Sequence, residues 1–390
     1  MAYSKEQLET ILSNLVATIN ISDELFQTAN DEYTALGEWI NKETEKNGTK
    51  YNVLIYPQGS FALGTVIKPI SGEDDYDLDL VCLVKNGMHL SAKQLKLDVV
   101  KPWLTGYKKT KSDIEEKKRC WHLEYEDVPN FHMDVIPAIP SFYSNSNSTM
   151  ISITDKDEGR FPVYEFQGSN PKGYVQWFFQ RCRQKKMGSS GLEVMSEMAQ
   201  QEDLKQNKNK TQLQKAVQIL KRHRDVMFKD DPDNKPISII ITTLASQIYH
   251  GETTILDTLL GFVGEVEPYL KSHCKEDGSY SIPNPSYNGE DFADKWKDHP
   301  ERQTAFFSWI KQLQSDFNLE NLMNQDRVAM GRSVKKVFGD ASGTAVFRQM
   351  GYDEANAVKD GIRKIDTETG NLSKTGTVTV PPSRHYGEIQ

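Results

Sequence analysis

Apolar residues return every three or four positions near the start of the chain, at Leu8, Ile11, Leu12 and Leu15, which predicts a helix buried along one side. A second, long helix is predicted from Asp23: Ser22 can cap it, and Asp23 and Glu24 put negative charge beside its positive end. Its apolar stripe runs through Leu25, Phe26, Ala29, Tyr33, Leu36 and Ile40, and Asn47-Gly48 ends it. The pattern then shortens. Residues 51–57, 76–84, 118–125 and 131–139 read as strands of a small mixed sheet. A helix over 91–103 separates the second and third, and a turn at 126–130 joins the last two.

From Pro171 the helical period returns, over 174–183, 212–227, 237–249, 255–270, 300–313 and 319–337. Residues 185–210 are polar and poor in apolar side chains, which predicts a mobile loop or linker; the Thr-, Gly-, Ser- and Pro-rich stretch after Ile365 predicts a disordered tail. The expected architecture is α+β: a sheet-bearing lobe with a long N-terminal helix over 1–168, a helical lobe over 169–365, and a flexible tail over 366–390. No internal repeat is present.

Composition narrows the function classes. The chain has 390 residues, 37% hydrophobic, enough for one large or two ordinary cores. Its net charge of -8 argues against a protein that coats long nucleic acid, because such binding depends on a basic surface that displaces counterions. Cys82, Cys120, Cys182 and Cys274 are far apart, with no CxxC spacing, so neither a zinc site nor a disulfide framework is predicted. No stretch approaches the ~20 apolar residues of a membrane span. A cytoplasmic protein with no membrane partner is the expectation.

The chemistry is carried by Gln58-Gly59-Ser60-Phe61, followed by Asp77-Leu78-Asp79 inside the apolar run 76–84. Residues two apart in a strand face the same side, so Asp77 and Asp79 project together while Leu78 and Leu80 face the core. Phe131-His132-Met133-Asp134-Val135-Ile136-Pro137 is a second strand with an acid among apolar neighbours. If the two strands are adjacent, three carboxylates meet. Such a trio can hold two magnesium ions, or manganese in their place, and so serve phosphoryl transfer. Gly59 lets backbone approach closely, and the Ser60 hydroxyl and nearby amides can bind phosphate oxygens. A calcium loop starting at Asp75 would need glycine where Leu80 stands, and no GxxxxGK[ST] is present.

The combination Gly59-Ser60, Asp77-x-Asp79 and Asp134 resembles the polymerase-β-like nucleotidyltransferase superfamily. Tyr56-Pro57-Gln58-Gly59-Ser60-Phe61, the helix around Ala216 to Arg222, and Lys235-Pro236-Ile237-Ser238 are more narrowly similar to the bacterial cyclic GMP-AMP synthase-like (CD-NTase) enzymes, oligonucleotide cyclases of anti-phage (CBASS) signalling. The resemblance covers about residues 5–340. It implies an active site in a cleft between the lobes, metal binding by Asp77, Asp79 and Asp134, and nucleotide contacts from Gln58, Gly59, Ser60, Lys221 and Ser238.

Each of the outer residues also has a plainer reading. Lys221 lies in a charged run that could be a solvated helix face, and Ser238 could be a helix cap. Asn170, near the expected interlobe crossing, could meet a nucleobase or could simply start a helix. Tyr174 and Trp177 fit a core as well as a stacking platform, and His132 fits the surroundings of the metal site better than a catalytic base.

The expected substrates are nucleoside triphosphates, ATP or GTP with pyrimidines not excluded, joined into a cyclic di- or oligonucleotide with release of pyrophosphate. The alternatives are a linear nucleotidyltransferase acting on RNA, tRNA or a protein, and a nucleotide-binding sensor. No DNA activator is expected, since the chain lacks a His/Cys cluster and is acidic. A monomer is the default, and the resemblance allows an operon-encoded ligase acting on the C-terminus at residues 386–390.

Overall fold

In the computed structural model the described residues are 3–46, 51–70, 76–107, 109–110, 114–125, 131–142, 148–157, 159–184, 209–365, 367, 372–373 and 376–380. The expected turn at 126–130, Asp75, most of the 185–210 linker and the end of the tail lie outside them.

Two helices lead the chain, α1 (Lys5–Ile19) and α2 (Asp23–Lys46), followed by β1 (Val53–Pro57), the short α3 (Gly59–Leu63) and β2 (Tyr76–Val84). Where one helix was expected over 91–103, a π-helical segment (Gln94–Val100) runs into α4 (Lys101–Thr105). Next come β3 (Glu115–Glu116), β4 (Trp121–Glu124), β5 (Phe131–Pro140), β6 (Ile151–Lys156) and β7 (Tyr164–Ser169). The helices α5 (Pro171–Cys182), α6 (Gln212–Met227), α7 (Ser238–Ile248), α8 (Ile255–Ser272) and α9 (Pro300–Asp316) follow. After them stand α10 (Leu319–Met323), α11 (Arg327–Phe338), α12 (Asp340–Lys359) and the short strands β8 (Lys364–Ile365), β9 (Leu372–Ser373) and β10 (Val378–Thr379).

The chain divides into two compact units, 19–319 and 1–18 with 320–390. Both the sheet and helices α5 to α9 fall within the first. The smaller unit holds most of α1, whose Leu8, Ile11, Leu12 and Leu15 are buried as the spacing predicted, and the pair α11 and α12. There Gly343 allows close helix contact: a Cβ on it would lie 2.8 Å from the Lys335 Cα. Among the described residues after 365, β9 and β10 each pair with β8 in a small antiparallel sheet.

In the larger unit the strands run β1-β2-β5-β4-β3, with β6 added to β5 and β7 to β6. The β6–β7 hairpin was not expected. Strand β2 is parallel to β5 and antiparallel to β1. The pleat sorts the side chains: Leu78, Leu80, Cys82 and Val84 of β2, with Phe131, Met133 and Val135 of β5, enter one core with Ala29, Leu36 and Ile40 of α2. Phe26 of α2 stacks on Phe61 of α3 at 6.3 Å, and Trp39 Nε1 donates to the Trp103 carbonyl at 2.8 Å. The opposite face is apolar at one end, with Tyr56, Val81, Ile136, Ala138, Ile151 and Ile153. Its other end carries Asp77, Asp79, His132 and Asp134. Among the described residues no helix is long and apolar enough to cross a membrane. Cys82, Cys120 and Cys182 are buried free thiols, and Cys274 is free and exposed.

Candidate active site

Three adjacent strands build the site. The parallel register sets Asp79 beside Asp134 and Asp77 beside His132, and the antiparallel β4 sets His122 on the other side of Asp134. Cross-strand partners share a face with Cβ atoms only about 5 Å apart. One row across the sheet therefore reads Asp79, Asp134, His122, and the row beside it Asp77, His132, Glu124. His122 Nδ1 lies 2.8 Å from Asp134 Oδ1, and His132 Nε2 pairs with Asp77 Oδ1. The two imidazoles stand 4.3 Å apart.

Asp79 is the innermost carboxylate. Burial, then the neighbouring charges of Asp134 and Asp77, push its pKa up to about 7, against the opposing pull of Lys221. Gly59 lies directly against it. With φ at 62°, Gly59 adopts the left-handed conformation, and a Cβ there would come within 2.4 Å of Asp79 Oδ2. Gln58, just before α3, donates its backbone N–H to the Asp79 carbonyl at 2.8 Å. Ser60 follows in the first turn of α3, and its carbonyl accepts from Thr65 N at 2.9 Å.

Helix α6 closes this turn from the other side. Thr211 and Gln214 form its capping box, and Gln214 Nε2 donates to the Leu63 carbonyl at 2.8 Å. Four and seven residues on, Gln218 Nε2 reaches the Val66 carbonyl at 2.6 Å and Lys221 Nζ the Thr65 carbonyl at 2.9 Å. Arg222 continues the series to the Lys68 carbonyl. The Lys221 side chain is therefore no solvated helix face: it is buried, and desolvation followed by repulsion from Arg224 pulls its pKa down to about 8. Lys210 Nζ is held by Asn20 Oδ1 at 2.5 Å, and burial, with Lys221 nearby, pulls its pKa down to about 7.

The structure thus gathers Asp77, Asp79, Asp134, Gln58, Gly59, Ser60 and Lys221. Ser238 begins α7, and its hydroxyl accepts from Arg224 Nη1 at 3.1 Å, so it joins α6 through that arginine; no side-chain cap bond is made at that helix start. Asn170 is engaged elsewhere. It caps α5 by accepting from Gly173 N at 3.1 Å, accepts from Thr149 Oγ1 at 2.8 Å and donates to the Ser286 carbonyl at 2.8 Å. Tyr174 is buried with its hydroxyl 2.8 Å from Thr243 Oγ1, as its core reading anticipated. His122 escaped the sequence reading, although the expected turn at 126–130 already paired it with Asp134.

The chain matches the model of the Second Messenger Oligonucleotide or Dinucleotide Synthetase domain over residues 5–181. It is 30% identical over 315 residues, 80% of both chains, to the c-di-GMP synthase of Roseivirga ehrenbergii. The chain belongs to the CD-NTase family. A second family relative, the cyclic dinucleotide synthase CdnG of Bradyrhizobium diazoefficiens, is 23% identical over 384 residues, covering 90% of this chain and 88% of the relative. The solved structure of that CD-NTase in complex with GTP superposes with a TM-score of 0.69 at 19% identity, covering 88% of this chain and 99% of the other. The family's nucleotidyltransferase fold is thus present. Family membership makes this chain a nucleotidyltransferase whose catalysis depends on metal.

Among the described residues, no group of three or more His, Cys, Asp or Glu side chains forms a ready-made ligand cage. Magnesium does not require one, since it keeps several water or phosphate oxygens. The donor set fits such an ion: all three candidate groups are carboxylates, and their mutual repulsion at Asp79 is what a bound cation would relieve.

Proposed function

We infer that this chain joins nucleoside triphosphates into a cyclic dinucleotide, with GTP among its substrates, and that Asp77, Asp79 and Asp134 carry the reaction. The observation behind this reading is the parallel β2–β5 register, which puts Asp79 and Asp134 side by side on the polar end of one sheet face. GTP is the choice because the relative at 30% identity is a c-di-GMP synthase and the superposed CdnG structure holds GTP.

The three aspartates would hold two divalent cations, magnesium or manganese. When bound, these ions lower the pKa of the attacking ribose hydroxyl and neutralise the departing pyrophosphate. The ribose oxygen bonds to the α-phosphorus of a second nucleotide as the bond to pyrophosphate breaks. Asp134 accepts the hydroxyl proton at a carboxylate oxygen. Gly59 leaves Asp79 room to keep its place, while the Ser60 hydroxyl and the Lys221 ammonium hold the triphosphate. The linear product then presents its remaining hydroxyl and triphosphate to the same aspartates, and the ring closes with a second pyrophosphate. In the cell the ring would serve as a defence signal. Conjugation of the C-terminus by a partner ligase is a further reading, and residues 386–390 lie outside the described structure.

Incubation of the enzyme with labelled ATP, GTP, CTP and UTP, a divalent cation and no acceptor tests this. The expected result is a phosphatase-resistant ring containing guanosine, identified by mass spectrometry and lost in a folded Asp77→Ala, Asp79→Ala variant. Label found only on a macromolecule, or full activity in that variant, would overturn it.

A further inference from the structure

We propose that His122 is a positioning residue for Asp134: it donates from Nδ1 to Asp134 Oδ1 and so determines which carboxylate oxygen is offered to the metal and the ribose hydroxyl. The proposal rests on the reading of Asp134 as a metal ligand.

His122 lies on β4, a strand of four residues. Trp121 and Leu123 are buried in the core beneath the sheet, so the pleat sends His122 to the opposite face. The antiparallel register then sets it directly across from Asp134. The imidazole is largely enclosed, at 15% exposure, and its nitrogen is 2.8 Å from the carboxylate oxygen. In the proposed pairing Nδ1 carries the proton and the carboxylate accepts the hydrogen bond. That bond occupies Oδ1 and leaves Oδ2 for chemistry.

Rotation is blocked from the other side. The His122 ring packs against His132, which is itself paired with Asp77. The two imidazoles therefore buttress two of the three carboxylates as one unit, and Asp79 is confined separately by the Gly59 backbone. Groups that hydrogen-bond a metal's carboxylate ligands typically contribute about 10- to 100-fold in metal affinity or activity. His122 stands in that position here.

The test compares three substitutions in the full-length enzyme. Asparagine places an amide N–H close to where Nδ1 stands, glutamine places one close to Nε2, and alanine places none. Manganese binding, read by the spectroscopic signal of the free ion, and kcat and KM for GTP are measured for each. His122→Ala is expected to bind manganese roughly 10- to 100-fold more weakly and to lose kcat by a similar factor, with KM close to the parent value. His122→Asn should recover most of the loss and His122→Gln little of it. Parental manganese binding and kcat in His122→Ala would overturn the proposal. If that variant does not fold, equal behaviour of the Asn and Gln variants would overturn it. An Asp134→Ala control separates the two levels: parental manganese binding there refutes the ligand assignment itself.

Discussion

A single methyl group at residue 59 would meet both of the constraints that shape the site. It would force an L side chain into the left-handed conformation, at a cost of about 1–2 kcal/mol, and it would push Asp79 Oδ2 from its place. Misplacing a reacting group by an ångström can cost roughly 100-fold in rate, so Gly59→Ala should retain its fold and lose about that much of kcat. Circular dichroism and initial rates would check both halves. Lys210 gives a prediction of a different kind. Its folded pKa is about 7, well below the ordinary 10.5, so the unfolded chain binds the extra proton between those values. Its contribution to stability therefore rises as pH rises from about 7 toward 10.5. Lys210→Met should remove that rise, and melting temperatures at pH 7 and 9 for variant and parent would reveal it. At this scale the aspartates were legible because each interrupts an apolar strand. The fate of Lys221 was not, since a basic run looks the same in sequence whether it faces water or a carbonyl.

The element that organises the site is α6, whose Gln214, Gln218 and Lys221 donate in turn to the carbonyls of Leu63, Val66 and Thr65. These residues recur every three or four positions, so one helix face binds the segment that leaves α3. Lys221→Met should show two separable losses. Leaving the Thr65 carbonyl without its donor costs about 1–3 kcal/mol in urea unfolding. Loss of the proposed charged contact to triphosphate, worth a similar amount, should raise KM for GTP roughly 10- to 100-fold. A drop in stability with unchanged KM would reduce Lys221 to a tether. The sequence predicted α6 and α7 to within one residue at each end, since Leu213, Val217 and Leu220 in the one and Ile240, Ile241, Leu244 and Ile248 in the other fall at helical spacing. It missed β6 and β7, six residues each, where the alternation is too brief to stand out. It also missed α12, whose Gly343 and Gly351 argue against a helix in isolation and are outweighed by the close packing on α11.

At the scale of the molecule, the proposed use of one set of aspartates for both bond-forming steps sets a stoichiometry. Two pyrophosphates should leave per ring when the enzyme starts from nucleoside triphosphates. A synthetic linear dinucleotide carrying a 5'-triphosphate should close with release of one. Coupled pyrophosphate assay against ring yield would check the ratio. The fold was legible in outline, because the change from strand to helix period near Pro171 is sharp. The partition of the chain was not: α1 was visible as a helix, but nothing in its periodicity assigns residues 1–18 to the unit that also contains residues 320–390.

The pairing of β2 with β5 also makes the gene unequally tolerant of small length changes. Loss of one codon within 131–133 would shift Asp134 by one place along its strand and, with a two-residue pleat, turn its carboxylate into the oily layer with Leu78 and Leu80. The polar face would receive a methionine or valine instead. A one-codon deletion there should therefore abolish both folding yield and activity, whereas the same deletion in the 157–163 connection between β6 and β7 should spare the aspartates. A deletion scan through the two regions, read by soluble expression and ring formation, would display this reading-frame-like rigidity directly.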